Sequence, residues 1–205
     1  VFLTAWQGLV DTAHVRPGQK VLVQAGAGGV GTVAIQIAKH LGAYVATTCS
    51  AANAALVTSL GADRVIDYRH EAYDEVLADY DVVFDALGLD EARRARKIVR
   101  RGGKLVGIAV GLPERVAASG PVLGLLGTGV AVAGAMAGAR LRAGVTSRFI
   151  TKRADGAQLD HMAELCERGV IRPVIDTVYP LADIVAAHRH SDGGRTRGKV
   201  VVAVR

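Results

Sequence analysis

VLVQAGAGGVGTVAIQIAKHLGA, residues 21–43, runs from a β-branched and leucine stretch into a glycine cluster and leaves it in an apolar repeat. Val30, Val33, Ala34, Ile37 and Leu41 recur close to helical spacing. Residues 20–24 therefore read as a short buried strand, and 29–41 as a helix that Gly42 ends. Between them, Gly26-Ala27-Gly28-Gly29-Val30-Gly31 satisfies G-x-G-x-x-G. The pattern alone says little. A strand feeding it and a helix leaving it make it a pyrophosphate cradle. Gly26 permits the tight turn, Gly28 leaves the backbone open to a pyrophosphate, and Gly31 lets helix and strand pack closely. The helix start adds unpaired N–H groups and the positive end of a dipole. The competing reading is a glycine-rich turn with no ligand.

The next strand, 44–48, tells the dinucleotides apart. Its end reads Thr47-Thr48-Cys49-Ser50, and no acid follows until Asp63. An acid there would accept from ribose hydroxyls and repel a 2′-phosphate, whereas a serine hydroxyl can donate to that phosphate. The expected cofactor is NADP(H). Ser50 can also cap the helix expected at 51–60.

Outward from this unit, strands at 64–67, 81–84 and 104–109 alternate with helices at 71–78 and 91–99, and a helix at 3–13 precedes them. Short apolar strands between helices imply a parallel sheet buried on both faces. The fold class is α/β, a Rossmann doubly wound parallel sheet. Residues 112–144 form an apolar insertion, uncharged from 116 to 139. Its length suits a bilayer, but Pro121 and repeated glycines argue against one continuous helix, and the α/β pattern resumes beyond it. Membrane contact through 116–139 is therefore the lesser reading, and an apolar wall or subunit contact the greater. A strand at 146–151 follows, then a helix at 155–168 with Asp155 as its cap. Strand, helix and strand at 174–178, 181–190 and 199–204 close the chain. Residues 1–156 are the expected dinucleotide-binding domain, and 157–205 a C-terminal segment.

Half of the 205 residues are hydrophobic, as a packed core requires. The net charge is +6, but the basic residues are scattered and no aromatics interleave with them, which argues against nucleic acid. Two cysteines, Cys49 and Cys166, form neither a disulfide framework nor zinc spacing, and suit a cytoplasmic protein. The six histidines are scattered, so no metal is expected. The chain opens inside an apolar segment with no initiator Met, which reads as a truncated start. Asp85, at the end of a strand, is either catalytic or a carboxylate that holds the following loop. No acid/base relay is evident, and hydride chemistry needs none.

AGAGGVG and AIQIAKHLGA, then TTCS, LGADRVIDYR, YDVVFDALG and RRGGKLVGIA, resemble the medium-chain dehydrogenase/reductase superfamily, in its zinc-independent quinone oxidoreductase branch. The resemblance implies a GroES-like barrel joined to a Rossmann domain, with residues 157–205 folding back toward the barrel that this chain lacks. It implies hydride transfer from NADPH to a quinone or other α,β-unsaturated carbonyl, and a homodimer. It places Ala27 to Val30 at the pyrophosphate and Ser50 and Tyr68 at the 2′-phosphate. Leu87, Gly88, Ile108 and Val110 fall near the ribose and nicotinamide, Thr4 at the nicotinamide edge, and Arg195, Thr196 and Arg197 over the cofactor. Many relatives carry a lysine four residues after the serine, where this chain has Ala54. Arg69, Arg195 and Arg197 are the candidate replacements. The alternatives are an alcohol dehydrogenase-like reductase with another acceptor and a non-catalytic NADPH-binding sensor.

Overall fold

The structure, a computed structural model, describes residues 1–108, 117 and 120–204. Helix α1 (Phe2–Trp6) continues as a π-helical turn, Gln7–Thr12, and leads to strand β1 (Lys20–Val23). Helix α2 (Gly31–His40), β2 (Tyr44–Cys49), α3 (Ala54–Ser59) and β3 (Arg64–Asp67) follow. Then come the single turn α4 (Tyr73–Val76), β4 (Tyr80–Asp85), α5 (Leu89–Ala95) and β5 (Val99–Gly107). Helix α6 (Pro121–Ala143) and β6 (Thr146–Phe149) complete the main sheet. The C-terminal part is α7 (Gly156–Glu167), β7 (Ile175–Pro180), α8 (Ile184–Asp192) and β8 (Lys199–Ala203).

The first six strands pair in parallel in the order β3-β2-β1-β4-β5-β6. That is the doubly wound Rossmann order, and its direction reverses between β1 and β4. Ligands of such sheets lie at the carboxyl ends of the strands beside that reversal. Strands β7 and β8 pair separately, also in parallel.

Alternate residues of each central strand enter opposite cores. Val21, Val23, Val45, Val82 and Phe84 pack with α2 on one face. Leu22, Ala46, Val83 and Leu105 pack on the other, with Tyr73 and Leu77 around α4 and Ala92 and Ala95 of α5. A sheet covered on both faces has no polar side, so its strands read as apolar runs.

Two buried glutamines tie the C-terminal part to this core. Gln7 Nε2 donates to the Arg153 carbonyl at 3.1 Å, and its Oε1 accepts from the Arg153 N–H at 3.1 Å. Gln36 does the same to Arg172, at 3.0 and 2.8 Å. Asp155 caps α7, its Oδ1 accepting from the Gln158 N–H at 3.0 Å.

Several boundaries differ from the sequence reading. Helix α2 starts at Gly31, so Gly29 and Val30 belong to the loop. The helix expected at 71–78 shrinks to Tyr73–Val76, because Tyr73 and Leu77 must both reach the core and the chain leaves helical geometry at Leu77. The helix expected at 91–99 ends in a 3-10 turn at Ile98, and Val99 already pairs with Tyr80. The segment 116–139 departs most. Pro121 opens a continuous helix instead of breaking one: at the first helical position its missing N–H has no partner to lose. Helix α6 packs on α5 and β6 and leaves Leu123, Leu125, Leu126 and Val130 exposed. Among the described residues, no helix is long and apolar enough to cross a membrane.

Candidate cofactor-binding site

The glycine turn is anchored to β2. The Ala25 N–H donates to Thr48 Oγ1 at 3.1 Å, and the Gly26 N–H to the Thr48 carbonyl at 2.9 Å. Each glycine then has its own reason. A Cβ on Gly26 would strike the Thr47 hydroxyl, which itself donates to the Val23 carbonyl at 2.7 Å. A Cβ on Gly31 would strike the Ala25 carbonyl, so only glycine lets α2 begin that close to the turn. Gly28 is the open one, with only the Ala25 oxygen near, at 3.2 Å. Packing thus requires glycine at Gly26 and Gly31 and leaves the backbone open at Gly28.

A second segment closes on the turn. The Gly198 N–H donates to the Ala27 carbonyl at 2.8 Å, and Gly28 and Gly198 form an isolated parallel bridge. Gly198 takes a left-handed φ of +72°. The strap that leads to it, Gly193 to Arg197, faces the end of β2 across a cleft of about 680 Å³.

Seven of the anticipated residues line that cleft: Ala27 and Gly28, Ser50 and Tyr68, and Arg195, Thr196 and Arg197. Arg69 lines it too, its guanidinium 5.9 Å from the Tyr68 ring centroid. Gly26, Gly29, Val30 and Gly31 shape the turn behind it. Thr4, Leu87, Gly88 and Ile108 do not line it. Leu87, Gly88 and Ile108 gather instead where β4 and β5 end, the Ile108 N–H donating to the Asp85 carbonyl at 2.9 Å. Val110 lies outside the described residues.

The cleft is electrostatically one-sided. Among the described residues, no acidic side chain lines it and no carboxylate pairs with Arg69, Arg195 or Arg197. The nearby acid Asp67 is engaged elsewhere. It accepts from the Arg69 N–H at 3.1 Å and bonds the His70 ring, which holds its carboxyl below the usual range. Ser50 makes no cap to the following turn, so that role is not realised; its Oγ accepts from Asn53 Nδ2 at 3.3 Å, leaving its own proton to donate. Asn53 Oδ1 and Thr196 Oγ1 are buried without partners among the described residues. Orphaned polar atoms beside unneutralised guanidinium groups fit a ligand that brings phosphate and hydroxyl groups. A phosphate-bearing dinucleotide is such a ligand. Burial raises the thiol pKa of Cys49, also in the wall, so it stays protonated.

Asp85 is fully buried. Its Oδ1 accepts from the Leu87 N–H at 2.8 Å and the Gly88 N–H at 3.1 Å, so it holds the loop at the end of β4. Burial pushes its pKa up to about 6 against these bonds. Among the described residues, no three His, Cys, Asp or Glu converge as metal ligands would.

Sequence reasoning missed Asn53 and the Gly28–Gly198 bridge. The cue for the bridge was a glycine in Thr196-Arg197-Gly198-Lys199, which marks a turn but not what it touches.

Residues 60–202 match the family model described as zinc-binding dehydrogenase. The chain is 32% identical over 213 residues to the mitochondrial NAD(P)H oxidoreductase RTN4IP1 of Danio rerio, covering 100% of this chain and 55% of that protein. It is 34% identical to the chloroplastic NADPH-dependent alkenal/one oxidoreductase of Arabidopsis thaliana, over 97% of this chain and 44% of that one. The quinone oxidoreductase of Coxiella burnetii superposes with a TM-score of 0.84 at 28% identity, over 99% of this chain and 58% of the other. The chain thus spans about half the length of the curated relatives it matches.

Proposed function

Because the chain belongs to the medium-chain dehydrogenase/reductase superfamily, in its zinc-independent quinone oxidoreductase-like branch, we propose that it holds NADPH for hydride transfer to a quinone or other α,β-unsaturated carbonyl. One observation carries the cofactor choice. The cleft at the end of β2 is lined by Arg69, Arg195, Arg197 and Ser50 and, among the described residues, by no acid. NAD-dependent Rossmann sites usually carry a carboxylate there for the ribose hydroxyls, and cations in its place favour a 2′-phosphate.

The division of labour follows. The Gly28 backbone and the N-terminus of α2 hold the pyrophosphate. Ser50 and Tyr68 donate to the 2′-phosphate, and Arg69, Arg195 and Arg197 neutralise it. Asp85 fixes the loop of Leu87 and Gly88 beside Ile108, on the side where Thr4 would meet the nicotinamide. NADPH, when bound, supplies the hydride; the protein orients it and excludes water. The names of the Arabidopsis and Coxiella relatives support the acceptor class. In this reading residues 1–156 are the cofactor domain, and 157–205 dock on a second domain that completes the substrate pocket. Two copies pair, with the exposed leucines of α6 as the contact.

The test is a protein carrying this chain at full natural length, NADPH, and panels of quinones and enones. The reading expects loss of absorbance at the nicotinamide band with members of either panel. Tight NADPH binding without oxidation by any acceptor would make the protein a sensor. Turnover with saturated ketones alone would make it an alcohol dehydrogenase-like reductase.

A further inference from the structure

We propose that His190 is a positioning residue for cofactor selection: with Tyr179 and Asp176 it latches the end of α8 and so fixes the strap that carries Arg195 and Arg197; this rests on the cofactor reading above. The histidines look scattered in the sequence, yet this one closes a three-part chain. Tyr179 Oη lies 2.9 Å from His190 Nδ1, and His190 Nε2 lies 2.8 Å from Asp176 Oδ2. A carboxylate only accepts, so the Nε2–H donates to Asp176 and Nδ1 accepts the Tyr179 O–H. The two rings meet edge to face, their centroids 5.9 Å apart. A bulge makes the chain possible. Residues three apart on a regular strand face opposite sides. Between Ile175 and Thr177, β7 advances two residues while β8 advances one, from Lys199 to Val200. Asp176 is the extra residue, and the bulge turns it to the side of Tyr179, where both meet His190.

The latch sits where apolar packing is thin. Among the described residues, Ala187 is the one side chain of α8 that is buried, and Ile184 and Val185 are exposed. A helix with so little buried apolar surface opens easily unless directional bonds hold it. His190 lies in its last turn, and the strap begins directly after that turn. The Gly193 N–H donates to the Arg189 carbonyl and the Gly194 N–H to the Ser191 carbonyl, both at 3.1 Å. Gly194 then takes a left-handed φ of +64°, and the chain enters the wall of the cleft. Gly198, tied to Ala27, is the far anchor of the strap, and the end of α8 is the near one. Fixing both anchors keeps Arg195 and Arg197 in the cleft wall with Ser50 and Arg69. A 2′-phosphate gains affinity from arginines that need not be ordered when it binds.

The experiment compares a protein carrying this chain at full natural length with its His190→Leu and His190→Gln variants. Leucine removes both bonds, whereas a glutamine amide offers one donor and one acceptor, as this imidazole does. Limited trypsin digestion without nucleotide reads the strap itself. Cuts after Arg195 and Arg197 should quicken about tenfold in His190→Leu relative to cuts elsewhere, the scale of one or two lost hydrogen bonds, and return to near the parent rate in His190→Gln. Calorimetric titration reads selection. The ratio of NADPH to NADH affinity should fall about fivefold in His190→Leu, with NADH affinity unchanged, and recover in His190→Gln. Unchanged cutting in His190→Leu overturns the latch. So does equal loss in both variants, which would mean that ring packing and not the hydrogen bonds holds α8. Faster cutting with an unchanged ratio overturns the part of His190 in selection. A parent that binds neither dinucleotide overturns the cofactor reading, and the cutting rates then decide the latch alone.

Discussion

Asp85 shows how much one buried carboxylate can reveal about its site. One oxygen takes two loop N–H groups and the other has no partner among the described residues. Its pKa is about 6 in the fold, against 3.8 for a free aspartate. The folded chain therefore keeps a proton that the unfolded chain has released, over the window from about pH 4 to 6. Stability falls as pH rises through that window and levels off above it, by about 3 kcal/mol in all. Asp85→Asn keeps an acceptor for the Leu87 and Gly88 N–H groups and removes the charge. Its urea midpoint should exceed the parent's at pH 7.5 and match it near pH 4. A variant equally weakened at both would mean that the carboxylate is ionised and stabilising. Gly31 is the other decisive single residue. Gly31→Ala drives a Cβ into the Ala25 carbonyl, so the turn must open. Calorimetry should show dinucleotide binding lost, while far-UV circular dichroism retains the α/β signature. Undiminished binding would remove the close-packing role from this glycine.

The strand, turn and helix around the glycine motif were legible because every cue is local: β-branched residues, then glycines, then apolar residues at helical spacing. What decides the rest of the site is not local. The Gly28–Gly198 bridge joins residues far apart in sequence, and nothing near Gly198 names its partner. Helix α6 was misread for a related reason. Proline and glycine propensities are weak priors, and packing on β6 and α5 overrides them. The glutamine clamps were equally invisible, since Gln36 looks like a polar interruption of the apolar face of α2. It is buried, and its amide satisfies both backbone groups of Arg172. Gln36→Leu would leave those groups unpaired, at a cost of about 1–3 kcal/mol. Thermal melts should show that loss, and a variant as stable as the parent would mean that water replaces the amide. The strap is testable as an element. Trypsin cuts after Arg195, Arg197 and Lys199, and NADP+ should slow those cuts more than cuts elsewhere in the chain. Equal rates with and without the nucleotide would detach the strap from the site.

At the scale of the whole molecule, the sheet order sets the crevice and the charge pattern sets what it takes. Strand order β3-β2-β1-β4-β5-β6 puts the glycine turn at the reversal point. The end of β2 and the strap then meet across one cleft, with cations on two sides. The absence of an acid after β2 was readable from Ser50 onward. That Arg69 and the strap arginines line one cleft was not readable, because they lie far apart in the sequence and converge only in the fold. The central claim is that this cleft selects the 2′-phosphate. The direct measurement is fluorescence titration of the chain with NADPH and with NADH at the same ionic strength, repeated for Arg69→Gln and Arg195→Gln. The account predicts NADPH binding at least about tenfold tighter than NADH, with the gap narrowed in each variant and NADH affinity unchanged. Equal affinities in the parent, or a preference for NADH, would contradict it.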